Sequence, residues 1–145
     1  MLNLIYIWND NAANVSPKTG FSLNTKYDIN FNDDMDKPSL TIWENPSYVS
    51  NFWGSNIVDA IAIVGENGSG KTMLLNYIIE SLSYIEVNEP PYDYFILFRD
   101  EPAGKFICYV SDKYGDVDIE VFSSNKNNHE EMKEHSCNSL KAPIE

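Results

Sequence analysis

A run of glycines, a lysine and a hydroxyl residue in the middle of the chain has the spacing of a phosphate-binding loop. The stretch GENGSGKT fits the pattern G-x-x-x-x-G-K-[ST]. Glycines at these positions let successive backbone N–H groups converge on phosphate oxygens, an approach that side chains would block. Lys71 can reach the β and γ phosphates, and the Thr72 hydroxyl can ligate Mg²⁺. The sequence therefore predicts that a nucleotide is held by Gly65, Glu66, Asn67, Gly68, Ser69, Gly70, Lys71 and Thr72.

The segments on either side of this loop have the patterns of a buried strand and a helix. Residues 60–64 are apolar at every position and rich in β-branched side chains, which is typical of a central strand covered on both faces. After the loop, apolar residues recur at helical spacing, and neither Gly nor Pro follows until Pro90. They are Leu74, Leu75, Ile78, Ile79 and Leu82. A strand, a glycine loop and a helix in this order are the setting in which the pattern binds phosphate, because the helix N-terminus attracts anions.

Shorter patterns elsewhere predict several further strands. The chain opens with LNLIYIW, and residues 27–32 alternate between apolar and polar side chains, as a strand with one buried face does. SLTIWE, YFILF and KFICYV are further candidates, and residues 117–121 alternate again. The polar stretch 123–145 is predicted to be a disordered tail. The folded domain is therefore expected over residues 1–122.

The amino-acid sequence of the loop resembles that of one group of nucleotide-binding proteins. GENGSGKT, preceded by IAIV and followed by MLLNYI, resembles the Walker A motif of ABC-type ATPases of the SMC, RecF and OLD-nuclease group, which are also described as AAA family ATP-binding proteins. The resemblance covers most of residues 1–122, and only the Walker A stretch is specific. It implies an α/β fold, a P-loop NTPase-like lobe in which a mixed sheet, an antiparallel β layer and hairpins surround a central Walker A strand and helix. It also implies ATP and Mg²⁺ as cofactors, and ATPase heads that dimerise around nucleotide.

A hydrolase would also need acidic residues that hold Mg²⁺ through water and polarise the attacking water. Asp100 and Glu101 are the candidates, because they follow the apolar run YFILF, with Arg99 intervening. The alternative is that DEPAGK forms the turn of a hairpin between YFILF and KFICYV, since Asp, Pro and Gly are turn residues. The sequence favours the hairpin, because in the resembling group the acidic strand comes much later, after a signature motif that this chain lacks.

These features predict the N-terminal fragment of an ABC- or SMC-like ATPase, an incomplete head that binds ATP with little or no hydrolysis alone. ATPase activity would require the missing Walker B and signature elements, and the expected partner is the remainder of the ATPase or a second ATPase head. The alternative function is a complete small P-loop NTPase that uses Asp100 and Glu101 as Walker B-like acids. A nucleotide kinase and a relic unable to bind ATP tightly also remain open.

Composition and charge argue against several other functions. A net charge of −12 opposes direct nucleic-acid binding, which needs clustered Lys and Arg. No apolar run approaches the roughly 18 residues of a membrane span, and a cytoplasmic protein without membrane association is expected. The chain has only two cysteines, Cys108 and Cys137, and both are expected to be reduced thiols. Their spacing from His129, His135 and Glu131 matches no zinc-binding pattern.

Aromatic residues before the loop are candidates for stacking on the adenine base. Trp43, Tyr48, Phe52 and Trp53 precede Gly65 at a separation comparable to that at which ABC transporters place such a residue. Tyr48 is the first choice, because its predicted loop position leaves it freer than a strand residue. The alternative is that these side chains pack in the core.

Overall fold

The fold consists mainly of β-strands. The computed structural model describes residues 1–12, 15–34, 36–83, 85, 93–114, 117–122 and 132–137. The strands are β1 (Leu2–Asn9), β2 (Thr19–Ser22), β3 (Tyr27–Asn32), β4 (Ser39–Glu44), β5 (Tyr94–Asp100), β6 (Lys105–Val110), β7 (Val117–Phe122) and β8 (Met132–Cys137). Within these ranges there is one α-helix, α1 (Lys71–Ser83), and a 3₁₀ turn at Asp112–Tyr114.

The strands form two four-stranded sheets. The first has the order β2-β1-β5-β6, and every neighbouring pair is antiparallel. The second has the order β3-β4-β7-β8, in which β4 and β7 are parallel and the other pairs antiparallel. The register between β1 and β5 shifts between Leu4 and Tyr6, which marks a bulge in β1. The inner strands are therefore β1 and β5 in the first sheet and β4 and β7 in the second.

The main hydrophobic core lies between the two sheets. Phe31 of β3 stacks on Phe95 of β5, with ring centroids 4.7 Å apart and planes 14° from parallel. Trp8 of β1 meets Phe31 edge-on at 5.2 Å. Leu40 and Ile42 of β4 are fully buried in the same cluster. Because the alternating residues of β3 place Phe31 inward, this strand can have one buried and one wet face, as the sequence predicts.

A second, smaller core lies where helix α1 packs against the first sheet. Tyr77 is buried, donates a hydrogen bond from its hydroxyl to the Trp8 carbonyl over 3.0 Å, and packs against Phe21. Leu74 and Ile78 pack against the same cluster. The predicted helix is confirmed, and its face carrying Leu74, Tyr77 and Ile78 is the one that contacts the sheet.

The predicted fold class is wrong. Residues 60–64 form no strand, and Ile61 and Val64 are 43% and 85% exposed. The α/β P-loop lobe with a central Walker A strand is therefore replaced by two mainly antiparallel sheets with one helix on the outside of the first. The physical reason is pairing: an apolar run becomes a central strand only when strands bond to both of its edges, and β1 and β5 bond directly to each other.

Other expectations have mixed outcomes. The strands predicted at LNLIYIW, 27–32, SLTIWE, YFILF, KFICYV and 117–121 are confirmed. Cys108 is fully buried and disulfide-bonded, so the prediction of a reduced thiol is wrong there.

Residues 132–137 of the predicted tail form β8 alongside β7, and His129 and Glu131 lie outside the described residues. No helix in the described ranges is long and apolar enough to cross a bilayer.

Candidate functional site

The glycine loop forms a tight turn that only glycine allows at two positions. Gly68 and Gly70 have φ angles of 82° and 86°, in the left-handed region that strains other residues. The Ser69 amide donates to the Glu66 carbonyl over 3.2 Å, which closes the turn. At Gly65 a Cβ atom would lie 2.5 Å from Ser69 Oγ, so the start and end of the loop are in close contact. Steric constraints in the structure thus explain why glycine occupies positions 65, 68 and 70 of the pattern.

Lys71 folds back over this loop. Its ammonium nitrogen donates hydrogen bonds of 2.6 Å each to the carbonyl oxygens of Gly65 and Glu66, and Ser69 Oγ lies 3.4 Å away. The positive charge is thereby held against the turn at a solvent-exposed position. This is the position from which a lysine can transfer its hydrogen bonds to a phosphate group entering the loop.

Helix α1 begins directly at the end of the loop. Its first hydrogen bond runs from the Leu74 amide to the Gly70 carbonyl over 2.9 Å. The first turn contains no acidic residue, so no carboxylate of its own neutralises the positive end of the helix. Thr72 lies in this first turn and is exposed to solvent. The glycine loop, the N-terminus of α1 and the Thr72 hydroxyl therefore lie next to each other on the exposed surface.

The chain before the loop lacks the support that the loop has on its helix side. Residues 60–64 have no regular secondary structure and pair with no strand in the described part of the molecule. The connector, which is the segment between β4 and the glycine loop, is tethered at Asp59, whose carboxylate accepts hydrogen bonds from the Thr25 amide at 2.6 Å and from the Thr25 hydroxyl at 3.0 Å. The loop is thus fixed on one side by the packing of α1, and on the other side it follows an exposed apolar segment.

Asp100 and Glu101 lie at the hairpin that the alternative interpretation predicts. Asp100 pairs with Lys105 across β5 and β6, and Gly104 closes the turn at a φ of 62°. The Asp100 carboxylate lies 3.6 Å from the N-terminal amine of Met1. The hairpin interpretation is confirmed. Among the described residues, neither acid forms a hydrogen bond or ion pair with residues 65–72.

The aromatic residues before the loop are mainly exposed. Trp43, Phe52 and Trp53 are 51%, 69% and 51% exposed, so core packing is wrong for these three. Trp43 stacks on Phe122 across β4 and β7, with ring centroids 4.0 Å apart. Tyr48 lines a cleft beside the connector, and the Lys26 ammonium lies 5.8 Å from its ring centroid.

Sequence reasoning missed a buried ionic cluster at the far end of the first sheet. Asp10 is 3% exposed, and Lys18 and Lys113 both form ion pairs with it. Burial opposes the charge of Asp10, but its hydrogen bonds with Lys113 and Lys18 outweigh burial and lower its pKa. Lys113 is 103 positions away from Asp10, so no local pattern could reveal the pair. The cluster fixes the end of β1 and has no described contact with the glycine loop.

Comparison with family models, curated proteins and solved structures gives no match to this chain.

Proposed function

We propose that this protein binds ATP by its phosphate groups at residues 65–72, with Mg²⁺ at Thr72, as the N-terminal part of an ABC- or SMC-like ATPase. One observation carries the proposal: two glycines at positive φ lead into a helix whose first residue, Lys71, curls over the loop. The loop and the helix that follows it agree with the G-x-x-x-x-G-K-[ST] pattern, whereas the strand expected before the loop is absent from residues 60–64. Such an ATPase would act in the cytoplasm.

Binding would proceed by an exchange of partners at Lys71. In the described state, the ammonium group is bonded to the carbonyls of Gly65 and Glu66. An entering phosphate offers a charged acceptor, and charge-assisted hydrogen bonds are stronger than bonds to neutral carbonyls. The loop amides and the unneutralised end of α1 would add attraction for the anion, and the Thr72 hydroxyl would be a ligand for Mg²⁺, which would supply charge neutralisation for the phosphates.

We expect little or no hydrolysis by this chain alone. Hydrolysis needs a carboxylate that positions Mg²⁺-bound water and another that polarises the attacking water. Asp100 and Glu101 lie beside cations of the β5–β6 hairpin region, namely the Met1 amine and Lys26. Their positions support a structural role, and turnover by the isolated chain would favour the small complete NTPase instead.

Exposed apolar side chains beside the loop support a role for a second polypeptide. Ile61 and Val64 precede the loop, while Met73, Leu75 and Ile79 lie on α1 and are 54%, 49% and 66% exposed. Burial of apolar surface is the main favourable term in protein association. We propose that the remainder of the ATPase or a second ATPase head covers these residues.

The test is a calorimetric titration of the purified chain with ATP and Mg²⁺. The wild-type chain should bind, and Lys71→Ala should lower the affinity by about tenfold or more, because a charged hydrogen-bond donor is lost. Lys37→Ala is the matched control, since Lys37 is an exposed lysine whose ion pair with Asp118 lies on the other sheet. Equal binding by the two variants, or none by the wild type, would contradict the proposal.

Release of inorganic phosphate from ATP provides the second measurement. We expect release at the level of a protein-free control. If the wild-type chain hydrolyses ATP and Asp100→Asn abolishes that activity, the expected absence of turnover is wrong and Asp100 acts as a Walker B-like acid.

A further inference from the structure

The outer face of the second sheet carries an exposed aromatic pair. Trp43 of β4 is 51% exposed and stacks on Phe122 of β7, with ring centroids 4.0 Å apart and planes 11° from parallel. Leu40 and Ile42 have no exposed surface and lie in the core between the sheets. Because side chains alternate along a strand, Trp43 lies on the opposite face of β4, with much of its surface open to a partner.

One face of the Trp43 indole is covered and the other is free. The stacking distance of 4.0 Å is close to the spacing of roughly 4.8 Å between neighbouring strands, so the two rings lie side by side along the sheet. Since β7 is on one side of β4 and β3 is on the other, the second face of the indole is directed towards β3. Among the described residues, no other ring and no cation stacks on Trp43.

A carboxylate lies beside this free indole face. Asp28 of β3 is the residue directly opposite Trp43 in the antiparallel pairing of β3 with β4, and it is exposed. Side chains at opposite positions have Cβ atoms about 4.5–5.5 Å apart. Within the described ranges, the Asp28 carboxylate forms no ion pair and no hydrogen bond. An electron-rich ring face and an unpaired carboxylate therefore border the same space.

The charges around the aromatic pair select the sign of a ligand. The charged side chains of β3, β4 and β7 are all acidic. Glu120 lies two positions before Phe122 on the same face of β7 and forms no ion pair with a described residue. Asp118, at the other end of β7, pairs with Lys37 at 3.4 Å. The Trp43 end of this face therefore attracts cations, as does the net charge of −12 at longer range.

We propose that this face docks a basic protein segment, with an arginine inserted between the free face of Trp43 and the Asp28 carboxylate. A guanidinium group is planar, stacks on aromatic faces and donates paired hydrogen bonds to a carboxylate. It therefore satisfies both walls of the space at once. The docking face is separate from the glycine loop, and the proposal does not depend on nucleotide binding.

The spacing of the carboxylates favours a protein segment over a small cation. Glu120 is opposite Thr41, which is two residues from Trp43 on β4, so it lies one row further along the sheet, at roughly 6.6 Å. The side chains of an extended polypeptide repeat at the same interval. A segment with basic residues at alternate positions can therefore reach Asp28 and Glu120 together, whereas a single small cation cannot.

The test is a calorimetric titration of the full chain, without nucleotide, with three blocked six-residue peptides. They differ only at alternate positions, which carry arginine, lysine or citrulline, the last having the shape of arginine without its charge. The lysine peptide should bind about threefold more weakly than the arginine peptide, and the citrulline peptide about tenfold more weakly. If the arginine peptide does not bind, or binds no more tightly than either of the others, the proposal is wrong.

Two pairs of variants assign the binding to this face. Trp43→Leu should lower the affinity for the arginine peptide about fivefold. Trp53→Leu replaces a tryptophan of equal exposure in the connector and should leave the affinity unchanged. Asp28→Asn should lower the affinity about tenfold, whereas Glu80→Gln removes the same charge from α1 and should change it little.

Equal losses within either pair of variants would overturn the assignment. Circular dichroism checks the folding of each variant. Asp28→Asn changes an exposed side chain, so it keeps the test decisive even if Trp43→Leu does not fold.

Sedimentation separates this proposal from self-association through the same face. We expect Trp43→Leu to leave the sedimentation coefficient of the chain unchanged. A wild-type dimer that this variant converts into a monomer would mean that a second copy covers the aromatic pair, and would overturn the proposal. Peptide binding by a chain that does not bind ATP would support this proposal and contradict the nucleotide proposal, and the reverse result would contradict this proposal alone.

Discussion

Residues 60–64 and strand β5 have similar sequences and opposite surroundings. AIAIV and YFILF are both unbroken apolar runs, and both are predicted to be strands. In β5, Phe95, Ile96 and Leu97 have no exposed surface, whereas Val64 is 85% exposed. β5 bonds to β1 on one edge and β6 on the other, while residues 60–64 bond to no strand in the described ranges. The comparison teaches that an apolar run is buried only when the chain supplies partners for its backbone.

The largest expected effect separates the two runs by stability. Phe95→Ala should lower the free energy of unfolding by about 3–5 kcal/mol, because it leaves a cavity between the sheets. Val64→Ala is the matched truncation in the exposed run and should change the free energy of unfolding by no more than about 0.5 kcal/mol. Denaturant titration monitored by circular dichroism measures both. Similar losses in the two variants would mean that residues 60–64 are buried in solution.

A smaller effect is expected at the ionic cluster, which fixes the end of the sheet that contains β5. Asp10→Asn should destabilise the protein by about 1–3 kcal/mol at neutral pH, because Lys18 and Lys113 lose a charged acceptor. Asp28→Asn is the control, since Asp28 is an exposed residue of β3. Free energies of unfolding from urea titrations provide the measurement, and equal values for the two variants would show that the cluster contributes no stability.

The same carboxylate predicts how stability depends on pH. The pKa of Asp10 is lowered in the folded protein from its ordinary value of 3.8. Its stabilising contribution is therefore fully present above that value and is lost as the pH falls through the lower, folded-state pKa. The stability difference between wild type and Asp10→Asn should stay constant from neutral pH down to 3.8 and should shrink as the pH falls further towards that folded-state pKa. A difference that stays constant over this lower range would contradict the lowered pKa.

The smallest change in stability is expected in the glycine loop, which follows the exposed residues 60–64. Gly68→Ala forces a Cβ into a φ of 82°, which costs about 1–2 kcal/mol locally. Because a Cβ at Gly68 would meet nothing within 4 Å, the exposed loop can relieve this strain by changing its backbone angles. MgATP affinity should therefore drop severalfold, with little change in the unfolding midpoint. Asn67→Ala, at a neighbouring position without positive φ, should retain more affinity. A lower midpoint without lost affinity would indicate that the loop supports the core and does not bind phosphate.

Local patterns predicted the local structure well. The alternation of Tyr27, Ile29 and Phe31 predicts β3, and the helical spacing of Leu74 and Ile78 predicts α1, because these periods depend on neighbours in sequence. The turn residues of DEPAGK predict the β5–β6 hairpin for the same reason. Where an element depends only on residues close in sequence, sequence reasoning was sufficient.

Long-range partners could not be predicted in the same way. Whether residues 60–64 join a sheet depends on which strands are present to bond to them, and β1 bonds to β5 instead. The cluster of Asp10, Lys18 and Lys113, and the approach of Lys26 to Glu101, join charges from separate strands and loops. Such contacts follow from topology, which residue periodicity does not specify. The cleft was missed for this reason.

The central place of β1 also has a consequence for biosynthesis. β1 lies between β2 and β5, so one of its edges must wait for a strand that is made on the order of 90 residues later. At roughly 5–20 residues per second, translation takes about 5–20 s to deliver that strand. During this interval Ile7 and its apolar neighbours on the nascent chain have no permanent cover. A ribosome-associated chaperone that shields β1 as it emerges should therefore increase the yield of folded protein.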